Sequence, residues 1–316
     1  LRPLSELPAI ASQLHLSHRV LDITRRGHDK VRSQGRQEAP FLLRVATPAG
    51  EHEWQARAIV DATGTWGQPN PLGVHGLPAR GEHAAQARIA HGMPDILGAE
   101  RRRYAGKRTL VVGAGHSAAG NLLALTALAR QAPGTQAVWA VRGTDLRRLY
   151  GGARLDGLSA RGTLGQRLRE EVEQGAIELH LGFGIADITL SEQGLLVKAV
   201  DDARAPIEAI DQLIAATGSR PDLSLTRELR VRLDPWLEST DALAPLIDPN
   251  EHSCGTVRPH GHRELAHQHE PGYYAIGAKS YGRAPNFLLA TGYEQARSVA
   301  AALAGDLAAA DDVRLE

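Results

Sequence analysis

The sequence holds one cysteine, Cys254, among its 316 residues. No intrachain disulfide can form, and nothing points to an oxidising compartment. Aromatic residues make up only 4% of the chain, and Lys30, Lys107, Lys198 and Lys279 are the lysines amid a large excess of arginine. With alanine and glycine abundant, that skew reads as genome composition rather than as function. Charge of either sign is not in excess: the formal net charge is zero. A nucleic-acid binder normally carries a basic surplus to neutralise phosphates, and the longest basic run, Arg101-Arg102-Arg103, reads as a solvated helix face. No apolar run approaches the ~18 residues of a membrane span, and no signal-peptide pattern is present. The expectation is a cytoplasmic protein without nucleic-acid or membrane partners, its oligomeric state left open.

What is present is alternation of two periodicities. Leu4, Leu7, Ile10 and Leu14 recur at helical spacing over residues 1–16. Strand patterns follow at 20–24, 41–47, 52–56 and 58–62, with Pro48-Ala49-Gly50 as a hairpin turn between the second and third. A linker rich in Gly and Pro spans 67–81. A second series begins at Lys107: a short apolar strand over 109–112, a glycine turn, a helix over 119–130, and a strand over 136–141. A helix over 163–174 and strands over 177–181, 185–190, 195–200 and 212–216 complete the series. Strand and helix in alternation predict a parallel sheet with crossover helices. Residues 219–271 are irregular, and a strand at 273–276, a Gly-rich loop at 277–285 and a helix over 287–303 close the chain. One internal echo stands out. Two apolar strands each run into the same tripeptide, Ala62-Thr63-Gly64 and Ala216-Thr217-Gly218.

The glycine turn carries the chemistry. Thr109-Leu-Val-Val-Gly-Ala-Gly-His-Ser-Ala118 reads as strand, tight turn, helix. Gly113 permits the turn, Gly115 lets a pyrophosphate approach the backbone, and Ala118 is small where helix meets strand. The amides of His116 and Ser117, at the helix N-terminus, then face the phosphates. A bare G-x-G-x-x-[GA] is weak, but the apolar strand before it and the helix and second strand after it strengthen the assignment. The end of that second strand selects the nucleotide: an acid suits the ribose hydroxyls of NAD, an arginine the 2′-phosphate of NADP. The strand ends in Arg142, with Arg147 and Arg148 close behind, which favours NADPH, whereas Asp145 keeps NADH open.

With both Ala-Thr-Gly strands flanking this turn, the sequence resembles the two-dinucleotide-domain flavoproteins, which include flavin-containing monooxygenases and thioredoxin reductases. Val60-Asp-Ala-Thr-Gly-Thr-Trp66 looks like the exit from the FAD half, Ile214-Ala-Ala-Thr-Gly-Ser-Arg-Pro-Asp222 like the return, and Tyr274-Ala-Ile-Gly277 like the last strand of the FAD sheet. Gly277-Ala-Lys-Ser-Tyr-Gly-Arg-Ala-Pro285 resembles a segment of bacterial FAD- and NAD(P)-dependent oxidoreductases. The resemblance implies an α/β fold in which a Rossmann-like NAD(P)H-binding domain (107–218) is inserted into a partial FAD-binding domain (1–106 and 219–316), with β-meander crossovers. It implies FAD and NADPH as cofactors and a small-molecule substrate or electron acceptor as partner. Thr63, Gly64, Thr217, Gly218, Gly277, Arg283 and Phe287 would lie at the cofactors. The helix from Phe287 would start beside the flavin ring, where its amides favour negative charge.

Three departures qualify the resemblance. The family opens with its own strand and G-x-G-x-x-G for the FAD diphosphate, and nothing upstream of Gly64 offers one. The expectation is an N-terminal truncation of somewhat under ~100 residues, the size of the first units of such a domain, and weak FAD binding by the chain as given. One cysteine cannot form the C-x-x-C of a thioredoxin reductase, so disulfide reduction of that type is out unless a partner or the missing segment supplies thiols. The Phe-x-Gly-x-x-x-His of flavin monooxygenases is absent, although Tyr104-Ala-Gly-Lys-Arg108 and His91 partly fit its surroundings.

The functional expectation is hydride transfer from NADPH to FAD and then to oxygen or a small acceptor, with monooxygenation one of its forms. No catalytic side chain stands out, since in this chemistry the cofactor does the hard step. The alternative is a non-catalytic nucleotide-binding or redox-sensing protein that keeps the fold. His252, Cys254, His260, His262, His267 and His269 crowd one segment, but their spacing matches no zinc pattern and no metal is expected. Lys279, Tyr281 and Arg283 are placed near the flavin or substrate on one reading, and as structural loop residues on an equal one.

Overall fold

The computed structural model describes residues 2–146, 150, 159–252 and 256–314, and the chain divides into two compact units, 1–67 with 220–316, and 68–219. Cys254, Arg147 and Arg148 lie outside the described residues.

The first unit contains an antiparallel three-stranded sheet of β1 (Arg19–Arg25), β2 (Phe41–Thr47) and β3 (Gly50–Ala56), in that order. The tight turn at Pro48 and Ala49 registers Thr47 against Gly50, as the sequence predicts. β4 (Ile59–Asp61) does not continue this sheet. It pairs in parallel with β13 (Tyr273–Ala275), Ile59 beside Tyr273 and Asp61 beside Ala275. The segments Ala62–Gly64 and Ile276–Gly277 therefore leave the same end of one ladder. A helix, Leu289–Ala304, follows, two residues later than Phe287, and Gly305 ends it in the left-handed conformation at φ +87°. Ile23, Phe41, Ile59, Leu229, Tyr273 and Ala275 form one core of this unit, and a second gathers about Leu243, Ile247, Leu265, Tyr281 and Val299.

Residues 1–16 do not form one amphipathic helix. They make two single turns, Arg2–Ser5 and Pro8–Ala11, and Leu4, Leu7, Ile10 and Leu14 are exposed. Pro8 cannot continue a helix that starts before it.

The second unit is a five-stranded parallel sheet in the order β5-β12-β6-β7-β8, with β5 Ile89–His91, β6 Arg108–Val112, β7 Gln136–Val141, β8 Ile177–Leu181 and β12 Gln212–Ala215. Both faces are covered, as an all-parallel sheet requires. Alternate residues divide cleanly between two cores. Leu110, Val112, Val138, Ala140, Leu213 and Ala215 pack in a core with Ile185, Ile188, Leu195 and Val197 of the antiparallel meander β9 (Ile185–Ser191), β10 (Gly194–Ala199) and β11 (Ile207–Ile210). Val111, Ala137, Trp139, Val141 and Ile214 pack on the other face with the helices His116–Ala129 and Ser159–Glu173. The first helix is rich in Ala and Leu, both strong helix formers, and buries Ala118, Ala119, Leu122, Leu125 and Leu128.

This unit reaches back beyond Lys107 to Gln68. The Gly- and Pro-rich stretch after Gly67 is folded onto the meander: the Val74 amide donates to Ile185 O and the Arg80 amide to Ala186 O. The buried Glu82 carboxylate accepts from the amides of Leu72 and Ala79, at 3.1 and 2.7 Å. Next, β5 adds to the free side of β12.

Candidate functional site

The glycine turn lies at the carboxyl end of β6. Chain order runs outward from β6 through β7 to β8 on one side, while β12 and β5 lie on the other. That reversal is a topological switch point, where open parallel sheets hold their ligands. Gly113 is forced to be glycine. Its φ is +134°, and a Cβ would stand 2.2 Å from the carbonyl oxygen of Ala216. The Trp139 indole N–H donates to the Gly113 carbonyl at 2.7 Å, which fixes the turn from the neighbouring strand. Gly115 caps the helix, and a Cβ there would meet nothing within 4 Å. The space is open on the side from which a phosphate would approach. His116 is exposed, Ser117 half-buried, and Ala118 fully buried where helix and sheet meet. The N-terminus of the helix lies here, where backbone amides and the helix dipole favour an anion.

Arg142 directly follows β7 and is exposed, as are Gly143, Thr144 and Asp145. His91 ends β5 at the same edge of the sheet, in register with Ala215, itself in register with Val112. Gly92 accepts a bond from the buried Asn121 amide at 2.8 Å. Tyr104 is fully buried, and burial pushes its phenol up to about 12.

Thr217 and Gly218 are engaged with the incoming chain. The Thr217 hydroxyl donates to Asn70 O at 2.7 Å, Asn70 Nδ2 donates to Thr217 O at 3.1 Å, and the Asn70 amide donates to Gly218 O at 2.9 Å. Gly218 sits at φ +80°.

In the first unit, the two strand ends form a second cluster. Lys279 Nζ donates to Asp61 Oδ2 at 2.6 Å and to Thr63 Oγ1 at 3.0 Å, the Tyr273 hydroxyl donates to Asp61 Oδ2 at 3.0 Å, and the Thr63 hydroxyl donates to Asp61 Oδ1 at 2.7 Å. Lys279 and Asp61 side chains are each 2% exposed. Burial alone would raise the Asp61 carboxyl, but the Lys279 ammonium and the Thr63 donors outweigh it and hold it below its ordinary value. Lys279 thus locks the β4 loop to the β13 loop. Asp61 is the residue that sequence reasoning passed over. Its signal was an acid inside the apolar run Ala-Ile-Val-Asp-Ala, 218 positions from its cation.

Gly64 and Gly277 both take positive φ, +69° and +68°, and a Cβ on Gly277 would meet open space. The Gly277 amide donates to Gln295 Oε1 at 2.7 Å. Gln295 Nε2 in turn lies 3.1 Å from His260 Nε2, so the last helix steadies the loop. Phe287 packs edge-on against Tyr281, and a Cβ on Gly292 would come within 2.8 Å of its ring. Its surroundings are core. Arg283 is exposed, and its amide donates to Leu237 O.

The histidine-rich segment is dispersed. His260 is buried beside Tyr281, His262 lies by Ser298, His252 by Pro245 O, and His267 Nδ1 accepts from the Arg232 amide at 3.2 Å. Burial pushes His267 down to about 4. No group of three or more metal-ligating side chains occurs among the described residues. Nor is any described helix long and apolar enough to cross a membrane.

No protein-family pattern and no curated protein matches the sequence. Solved structures do match its fold. Bacillithiol disulfide reductase Bdr from Bacillus cereus superposes with a TM-score of 0.65 at 18% identity over 96% of this chain and 75% of that one. The same enzyme from Staphylococcus aureus gives 0.65 at 15% over 96% and 74%. DfoA from Erwinia amylovora, a cadaverine monooxygenase solved with FAD, gives 0.61 at 16% over 98% and 73%. The chain has the fold of the two-dinucleotide-domain flavin oxidoreductases.

Proposed function

We propose that this chain is a flavin-dependent oxidoreductase that takes hydride from NADPH and passes the electrons to oxygen or a small acceptor. The observation that carries the reading is the Gly113–Ala118 turn at the switch point of the parallel sheet, with Gly115 open on its outer side. The residues fit a dinucleotide: the turn and first helical amides for the pyrophosphate, Arg142 for a 2′-phosphate. The first unit contributes loops suited to a flavin, namely Thr63-Gly64 and Gly277 on adjacent strand ends. Its sequence contains no G-x-G-x-x-G to cradle the FAD diphosphate.

FAD, when bound, supplies the two-electron acceptor between nicotinamide and final substrate. The protein's part is to bind and orient. Lys279 and Asp61 keep the two flavin-side loops together in a dry interior. A dithiol relay of the C-x-x-C kind needs two cysteines, and the sequence has one. Within these residues, oxygen or a small acceptor therefore fits better than a protein disulfide. By their own names the structural relatives described above are disulfide reductases and a monooxygenase.

The test is an anaerobic titration of the FAD-reconstituted chain with NADPH. Bleaching of the flavin's visible absorbance at one equivalent supports the reading. NADPH binding without bleaching supports a nucleotide-binding protein without turnover. Absence of NADPH binding removes the proposal. Admitting oxygen, with and without a quinone, then separates oxygenase from reductase.

A further inference from the structure

We propose that Arg204, from the hairpin between β10 and β11, is a second cation of the 2′-phosphate site, standing opposite Arg142 and setting the preference for NADPH over NADH. The inference rests on the nucleotide reading above. The end of β8 is fastened to the end of β7: the Gly182 amide donates to Gly143 O and the Phe183 amide to Val141 O, both at 2.8 Å. Arg204 Nη1 donates to Leu181 O at 2.6 Å. Its guanidinium lies over Gly182, where a Cβ would come within 2.5 Å of Nη2 and 3.4 Å of Thr144 Cγ2. Gly182 has φ +64°, so the site excludes a side chain on two counts.

Arg204 is thus held on the end of β8, whose backbone runs one strand spacing, ~4.8 Å, from that of β7, the strand that leads into Arg142 and Gly143. The turn Arg142–Thr144 is exposed, and a Cβ on Gly143 would meet nothing within 4 Å. The result is an open shelf at the carboxyl end of β7 with an arginine on each of two adjoining strand ends. That is where an NADP site places its 2′-phosphate. A guanidinium has five donors. Leu181 O and the Asp201 carboxylate, 3.5 Å from Nε, do not exhaust them. Asp201 also opposes phosphate binding, as does Asp145 at the far end of the turn, so the shelf is close to neutral without a ligand. A dianionic phosphate tips that balance, whereas the ribose hydroxyl of NADH does not. The sequence separation between Arg142 and Arg204 hides the pairing from any local motif.

The experiment is calorimetric titration of the full 316-residue chain with NADPH, NADH and adenosine 2′-monophosphate. Arg204→Gln is expected to weaken NADPH and adenosine 2′-monophosphate about tenfold, the loss of one charge-assisted contact, and to leave NADH unchanged. Asp201→Asn, which frees Arg204, is expected to tighten NADPH about threefold. If Arg204 carries the gain, Asp201→Asn tightens nothing in an Arg204→Gln background, whereas removal of the Asp201 charge alone would tighten NADPH there too. If Arg142→Ala lowers the NADPH preference while neither Arg204→Gln nor Asp201→Asn moves it, the inference is wrong and the nucleotide reading stands. If Arg204→Gln loosens the hairpin, both nucleotides weaken together, and a lack of tightening in Asp201→Asn then overturns it. A wild-type chain that binds NADH as tightly as NADPH overturns the nucleotide preference and Arg204's role with it.

Discussion

Two single residues show how differently the sequence discloses its contents. Gly113 is legible because the requirement on it is local: a strand enters, a helix leaves, and only glycine tolerates the φ and the nearby Ala216 carbonyl. Asp61 and Lys279 are not legible, because a buried pair exists only once β4 and β13 are side by side. Lys279→Met should cost about 3–5 kcal/mol by leaving the Asp61 charge buried without its cation. Adding Asp61→Asn should recover most of that, as read by urea unfolding at neutral pH. The Asp61 carboxyl lies below its ordinary value in the folded chain, so the pair stabilises above the unfolded value, about 3.9, and is lost as pH falls through the folded one. The Lys279→Met deficit should therefore shrink in strong acid. His267 has the opposite chemistry and the same direction. Burial keeps it neutral down to about 4, whereas the unfolded chain takes up its proton at 6.5. Stability should fall as pH drops from 6.5 toward 4, by up to ~1.4 kcal/mol per pH unit for this group. His267→Phe should flatten that part of the urea-midpoint profile, and an unchanged slope would rule the histidine out as its source.

Among the elements, pattern length decides what can be read. The apolar run of β6 and the helix after it span enough residues to show a period, and both occur close to where the sequence places them. β5, at Ile89–His91, and β11, at Ile207–Ile210, are too short for any period and are fixed by the strands they join, β12 and β10. Residues 1–16 show the converse. They carry a helical period, but Pro8 interrupts it and the apolar side chains are exposed. The elements around the nucleotide turn are coupled through Trp139, which reaches from β7 to the Gly113 carbonyl. Trp139→Phe keeps a large ring in the core but removes that donor. It should destabilise by about 1–3 kcal/mol, the cost of an unsatisfied buried carbonyl, and should weaken NADPH and NADH alike. Calorimetric titration with equal loss for both nucleotides is the expected result, and a loss confined to NADPH would place the effect at Arg142 instead.

For the whole molecule, the two units have separate cores. Calorimetry is expected to resolve two transitions, of which NADPH raises only that of the 68–219 unit. Leu122 is fully buried between the helix and the sheet of that unit. Leu122→Ala should cost about 2–5 kcal/mol and lower that transition alone, by several degrees for a domain of this size. A single transition that both perturbations move together would mean that the units unfold as one. The start of the second unit at Gln68 was not legible in the sequence, because Glu82 and the meander order a stretch whose composition reads as linker. The clasp of Asn70 on Thr217 and Gly218 has a topological outcome. Entry and exit of the inserted unit are fastened side by side by the unit's own hydrogen bonds. The entropy of closing the long loop between them is therefore met by hydrogen bonds within residues 68–219. A segment so terminated closes on itself: its own bonds, not those of its neighbours, hold its two ends together.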